Sequence, residues 1–262
     1  VVFMKPKLII GAGVGWSATR SLMFSLSNYN HGLGKEDHIL YQLSINDPNH
    51  LKFYTESRET RERNKRYGYD ETPTLDRFIE IYKENAVGYD GVTDFTNANQ
   101  KIRPDYLKEI RPTLEEHFDV KVLMIFRDPA RRLFSECCAF YENKWVQTDC
   151  KSAKEYFMSV LETGSITDSE NYQHYYDNWK NSGYKIHPIS MEKIYSGQKQ
   201  DLENFLGFTI DLYPTAYYPE RGVDAPLIDG LQCQKSDTEV LFEDEYLYAK
   251  EKLKRHYACE FL

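Results

Sequence analysis

A chain of 262 residues and 30.9 kDa, with 41% hydrophobic, 15% aromatic and 28% charged residues, excludes a disordered chain, a collagen and a membrane protein. The formal net charge of -8, from 41 acids against 33 bases, excludes non-specific capture of nucleic acid by a global positive field, so any anionic ligand has to be held by local design. Five cysteines without zinc-ligand spacing, two of them the adjacent Cys137 and Cys138, point to a reducing cytoplasm.

Val1 to Phe3 read as a scar ahead of a native Met4, which leaves no room for a signal peptide, although a truncated secretory-pathway enzyme reads the same way. Residues 7–11, KLIIG, are an apolar strand; a glycine-rich turn and a helical stripe over 19–29, built on Leu22, Met23 and Leu26, come next. Residues 53–73 are polar and mixed in charge, read either as a surface excursion or as a substrate-facing flap. A helix is predicted over 74–86, a short strand over 91–95 and a helix over 104–117. VKVLMIF at 120–126 is a continuous apolar run, typical of a strand covered on both faces and far below the ~20 residues of a membrane span. After the RDP turn, helical periodicity resumes in ARRLFSECCAFY, and further helices are predicted over 152–162, 170–181, 199–206 and 239–256, with a strand over 184–190. No linker-like stretch or solenoid repeat divides the chain. Strands alternating with helices predict one α/β domain over 1–262 with a parallel sheet flanked by helices.

Two motifs carry chemistry. GAGVGWSATR (11–20) joins a strand to a helix, where unpaired backbone N–H groups make an anion site. A dinucleotide fingerprint would place glycines at 11, 13 and 16, but residue 16 is tryptophan, and the Gly-Lys-Ser/Thr of a Walker loop is absent. Taken alone, the glycines are equally well explained by a tight turn. RDPARRLFS (127–135) puts Arg127 at the C-terminal end of a buried strand, where open α/β sheets bind ligands, with Arg132 and Ser135 three apart on one helical face. Arginine plus hydroxyl suits a second phosphate; the bland alternative is a helix start with solvated arginines.

Together these segments resemble the PAPS-dependent sulfotransferases, which use 3′-phosphoadenosine 5′-phosphosulfate (PAPS), and in detail their heparan-type and carbohydrate branch. GAGVGWSATRSL is similar to the family's 5′-phosphosulfate loop and VLMIFRDPARRLFS to its 3′-phosphate motif. KEDHIL (35–40) is similar to a Lys-Glu-x-His-Phe-Phe segment, and GVTDFTNA (91–98) occupies the place of a Gly-Glu-Lys-Ser/Thr-Pro segment. Tyr172 with Trp179, and the stretch PISMEKIYSGQKQDLENFLGF, resemble downstream elements. The resemblance implies a P-loop-like fold and sulfuryl transfer to an acceptor hydroxyl or amine without a metal, leaving 3′-phosphoadenosine 5′-phosphate (PAP). It assigns Gly15, Trp16, Ser17, Ala18, Thr19 and Arg20 to the phosphosulfate, and Arg127, Arg132 and Ser135 to the 3′-phosphate. Glu36 is the expected general base with His38 beside it, and Asp94 is the competing carboxylate; both Glu36 and Asp94 also read as surface or turn acids. The sequence departs from the family where lysine or arginine is replaced by Trp16 and lysine by Phe95, which leaves Lys5, Lys7, Lys35 or the 53–73 stretch to supply a cation.

The alternative is a non-catalytic PAP or nucleotide binder of the same fold; a small-molecule kinase lacks its Walker lysine. The expected partner is a carbohydrate or small hydroxylated metabolite, with Arg58, Arg61, Arg63, Lys65 and Arg66 as a local basic lip. Neither nucleic acid nor a membrane is expected as a partner.

Overall fold

A computed structural model describes residues 5–13, 19–30, 39–45, 74–164, 171–212, 217–218, 223–224 and 241–257. Five strands, β1 (Lys7–Gly11), β2 (Tyr29–Asn30), β3 (Gly91–Phe95), β4 (Asp119–Phe126) and β5 (Ile186–Ser190), form one sheet in the order β2-β3-β1-β4-β5. Every neighbouring pair is parallel. The two strands read as continuous apolar runs, β1 and β4, lie adjacent in the middle, where both sheet faces are covered.

One face carries Leu8, Ile10, Val92, Val122 and Met124. Against it pack α2 (Ile39–Ile45), α3 (Leu75–Asn85), α4 (Pro104–His117) and α7 (Tyr172–Asn181), which contribute Leu40, Phe78, Leu107 and Trp179. The other face carries Ile9, Leu123, Ile125 and Ile189 and is covered by α1 (Thr19–Ser25), α8 (Met191–Tyr195) and α9 (Gln200–Leu206) through Leu22, Ile194 and Leu206. A third cluster joins α5 (Pro129–Glu142), α6 (Ala153–Thr163) and α10 (Glu243–Lys252), with Phe134 edge-on to Phe157 at 5.3 Å. A two-stranded antiparallel pair, β6 (Tyr217–Tyr218) and β7 (Val223–Asp224), stands apart from the main sheet.

The α/β architecture is as the alternating pattern predicts, and α4 spans the predicted 104–117. Elsewhere the bounds shift for local reasons. The stripe over 19–29 is not one helix: Ser25 turns its hydroxyl back onto the Ser21 carbonyl at 2.8 Å, α1 ends, and Tyr29 enters β2. Strand β5 begins at Ile186 rather than 184 and tolerates Pro188 because it lies at the sheet edge. The 239–256 helix begins only at Glu243, where Glu245 closes back onto the Phe242 N–H at 2.8 Å, and gives way to a tighter turn at Lys254–Tyr257. Short helices α2 and α8 were not expected from the sequence; at seven and five residues they offer too little periodicity to read. The 53–73 stretch lies outside the described residues.

Candidate functional site

In an open parallel sheet, ligands bind beyond the C-terminal strand ends where the strand order reverses. Here that point is β1, whose neighbours β3 and β4 lie on opposite sides. Three of the sequence-marked segments converge there: the glycine loop leaves β1, Asp94 sits near the end of β3, and Arg127 follows β4.

The loop starts tightly packed. A Cβ on Gly11 would come within 2.5 Å of the Phe95 ring, and one on Gly13 within 2.7 Å of the Ile125 Cβ and 3.0 Å of the Thr19 Cγ2. The two glycines therefore let the backbone lie directly on β3 and β4, and the Ala12 N–H bonds to the Leu123 carbonyl at 2.9 Å. Thr19 is buried at the start of α1. Gly15, Trp16, Ser17 and Ala18 lie outside the described residues, as do Glu36, His38, Lys35 and the side chain of Arg20.

The Arg-Asp-Pro turn is the best-defined part of the site. Pro129 opens α5, and the Asp128 carboxylate caps it by accepting the Arg131 N–H at 3.0 Å. Arg127 donates from Nη1 to the Ser135 Oγ at 3.1 Å, joining the two side chains that the motif marks, eight residues apart. Arg132 is fully buried in α5 and pairs with Glu136 at 3.0 Å. Burial pulls the Arg127 guanidinium below its ordinary pKa, and the charge of Glu192 opposes this most strongly. A cation whose desolvation weighs on it in this way is stabilised further by an arriving anion, and Arg127 with Ser135 presents donors suited to one.

Asp94 is fully buried; its Oδ1 accepts the Thr96 hydroxyl at 3.0 Å, and its carbonyl accepts a long 3.5 Å bond from Asn99. This is the bonding of a carboxylate that organises the turn after β3. Phe95, at the position where the resembled family has lysine, is a core residue 1% exposed, its ring beneath Gly11. Lys5 and Lys7 cannot supply the missing cation. Lys7 begins β1, about 13 Å of strand away from the site end. Lys5 donates to the Glu115 carbonyl at 2.7 Å, and Lys7 lies over the Phe208 ring at 5.5 Å.

Helix α7 ties the two edges of the site together. The Tyr172 hydroxyl donates to the Arg127 carbonyl at 3.1 Å, and Trp179 Nε1 donates to the Asn99 carbonyl at 3.1 Å. Several participants escaped the sequence reading. Glu192 accepts the Asp128 N–H at 2.9 Å, and Tyr246 donates to the Asp128 Oδ2 at 2.7 Å. The Asn99 Oδ1 and Gln100 Oε1, in the turn Asn97–Lys101, are buried with no hydrogen-bond partner among the described residues. No local pattern marks any of these, because their partners are remote in sequence or missing. A cleft of about 310 Å³ lined by Tyr141, Glu142, Lys144 and Cys150 lies at the far end of α5, about 20 Å of helix from Arg127. Among the described residues, no group of three or more His, Cys, Asp or Glu could hold a metal ion, and no helix is long and apolar enough to cross a membrane.

No protein-family model matches the chain, and no curated protein is similar to it in sequence. Among solved structures, a sulfotransferase from Alicyclobacillus acidocaldarius superposes with a TM-score of 0.52 at 16% identity, covering 82% of this chain and 87% of that one. A sulfotransferase from Mycobacterium tuberculosis H37Rv gives a TM-score of 0.41 at 10% identity over 98% of this chain and 77% of that one. Retinol dehydratase, solved with androsterone and inactive cofactor PAP, gives 0.41 at 14% identity over 99% and 83%. The likeness to the Alicyclobacillus protein is one of fold: the two share a P-loop-like α/β architecture.

Proposed function

We propose that the chain transfers a sulfuryl group from PAPS to an acceptor hydroxyl or amine. The observation that carries this reading is the Arg127–Ser135 pair at 3.1 Å, set beyond the C-terminal end of β4, the strand that pairs with β1. An in-line displacement at sulfur needs donors for the departing phosphate, a site that recognises the 3′-phosphate, and a base for the acceptor proton. Arg127 and Ser135 take the 3′-phosphate. Arg132, paired with Glu136, supports α5 from within. The backbone of residues 14–18, with Gly15, Trp16, Ser17 and Ala18, takes the 5′-phosphosulfate together with Thr19 and Arg20. Glu36, with His38 beside it, is the base, and Asp94 shapes the turn after β3. The acceptor is a carbohydrate or a small hydroxylated metabolite, no metal takes part, and the reaction belongs in the cytoplasm.

The test is calorimetric. Hydrogen bonds to charged groups contribute roughly 1.5 to 3 kcal/mol, so Arg127→Ala is expected to weaken PAP binding by about tenfold or more. Adenosine 5′-phosphosulfate, which lacks the 3′-phosphate, is expected to bind almost as before. Equal loss for both ligands removes the assignment, and sulfate transfer from labelled PAPS to a panel of glycans and phenols tests the reaction itself.

A further inference from the structure

Arg127 lies between the last strand pairing at Phe126 and the first helical residue at Pro129. What fixes this turn therefore decides where its guanidinium sits. The Tyr172 hydroxyl holds the Arg127 carbonyl at 3.1 Å from α7, and Glu192 holds the Asp128 N–H at 2.9 Å from α8. The Asp128 carboxylate is shared, with Oδ1 on the Arg131 N–H at 3.0 Å and Oδ2 on the Tyr246 hydroxyl at 2.7 Å. That last bond links α10 to the turn across 118 residues of sequence. The Arg131 guanidinium lies over the Tyr246 ring, 5.5 Å from its centroid, so the phenol is seated between the first turn of α5 and its cap. Burial first, then Asp128, pushes the Tyr246 pKa up to about 12, so the hydroxyl keeps its proton and donates throughout the neutral range.

We infer that Tyr246 is a positioning residue for a 3′-phosphorylated adenosine nucleotide: by holding Asp128 against α10 it fixes the turn in the orientation that brings Arg127 onto Ser135. The inference rests on the reading of Arg127 and Ser135 as the 3′-phosphate ligands. Its physical basis is rotational. Without the phenol, the Asp128 carboxylate keeps its helix cap but loses its second anchor, and the turn regains freedom about the bond that aims the arginine. A two-atom fork loses alignment quickly when its base can rotate.

The experiment titrates PAP and adenosine 5′-monophosphate into the full chain and its variants by calorimetry. Tyr246→Phe is expected to weaken PAP by about five- to tenfold, the size of one lost hydrogen bond, and to change the monophosphate by less than about twofold. Asp128→Ala, which also loses the α5 cap, is expected to weaken PAP at least as much, with the double variant no worse than Asp128→Ala alone. Asp128→Asn restores binding, because its amide still caps α5 and still meets the phenol oxygen. Tyr248→Phe, which removes the α10 hydroxyl that donates to Glu162 instead, leaves both ligands unchanged. If Tyr246→Phe leaves PAP affinity intact, or weakens both nucleotides equally as mere loosening of α10 would, the inference is overturned. Should Tyr246→Phe not fold, the contrast between Asp128→Ser, which keeps a helix cap but has no second group for the phenol, and Asp128→Asn decides in the same way. Arg127→Ala separates the two levels: if it fails to weaken PAP relative to the monophosphate, the 3′-phosphate reading falls and the positioning role with it. If it does weaken PAP while the Tyr246 and Asp128 variants do not, the positioning role alone falls.

Discussion

Under the proposed reaction Glu36 and Asp94 are the two candidates for the acceptor proton, and Asp94 is the one that lies among the described residues. Asp94 is fully buried and bonded to Thr96, two residues along its own turn. The Oδ1 bond makes Asp94 the carboxylate expected to weigh more on stability, whereas general-base assistance is worth about 10² to 10⁴ in rate. Glu36→Gln is therefore expected to lower turnover by that factor with PAP affinity unchanged, and Asp94→Asn to lower the unfolding midpoint more than the turnover. Steady-state kinetics beside denaturant melts would exchange the two roles if the pattern came out reversed. At this scale the sequence was legible where chemistry is local: Arg127 and Ser135 fall within one motif and meet in space. The pairing of Arg132 with Glu136 one turn along the helix was not legible from the motif. Nor could it reveal Tyr246, which reaches the turn only through the tertiary packing of α10 on α5.

Among the elements, the glycine loop and the β5–α9 layer make separate demands. Gly11 and Gly13 lie against Phe95 and Ile125 with no room for a methyl group. Gly11→Ala is expected to cost about 1 to 3 kcal/mol by overpacking, measurable as a lower denaturation midpoint at unchanged slope. The pattern GAGVG marked these positions, but its reason, the closeness of β3 and β4, depends on strand order. In the second layer, His187 of β5 stacks on Phe205 of α9 at 5.1 Å, and burial lowers its pKa from the ordinary 6.5, with Asp201 opposing. The unfolded chain takes up this proton first as pH falls. The stability linked to His187 is therefore whole above about 6.5 and declines as pH drops from there towards the lower folded-state pKa. His187→Phe keeps the ring and removes the titration, so its stability profile below neutrality is expected to be flatter than the parent's. A profile of unchanged slope would assign the acid sensitivity to other groups.

For the molecule as a whole, alternating strands and helices were enough to predict a parallel sheet with helices on both faces, because continuous apolar runs such as 120–126 occur where both faces are covered. Strand order was not legible, since periodicity carries no record of which strand lies beside which. That order has a consequence for how the chain reaches its native state. Of the five strands of this sheet, the first in chain order is the central one: Lys7 pairs with Gly91 on one side and Asp119 on the other. Until β3 and β4 have been made, β1 is an apolar ribbon with both edges open, and β4 is the last of its neighbours to be made. Such late closure of distant pairings slows folding and exposes strand edges to other chains. In pulse-labelled hydrogen exchange during refolding, the Ala12 amide, bonded to the Leu123 carbonyl, is expected to gain protection in the same phase as the β4 amides and later than those of the local helix α4. Protection of Ala12 before β4 would mean that β1 first docks on a partner it later abandons.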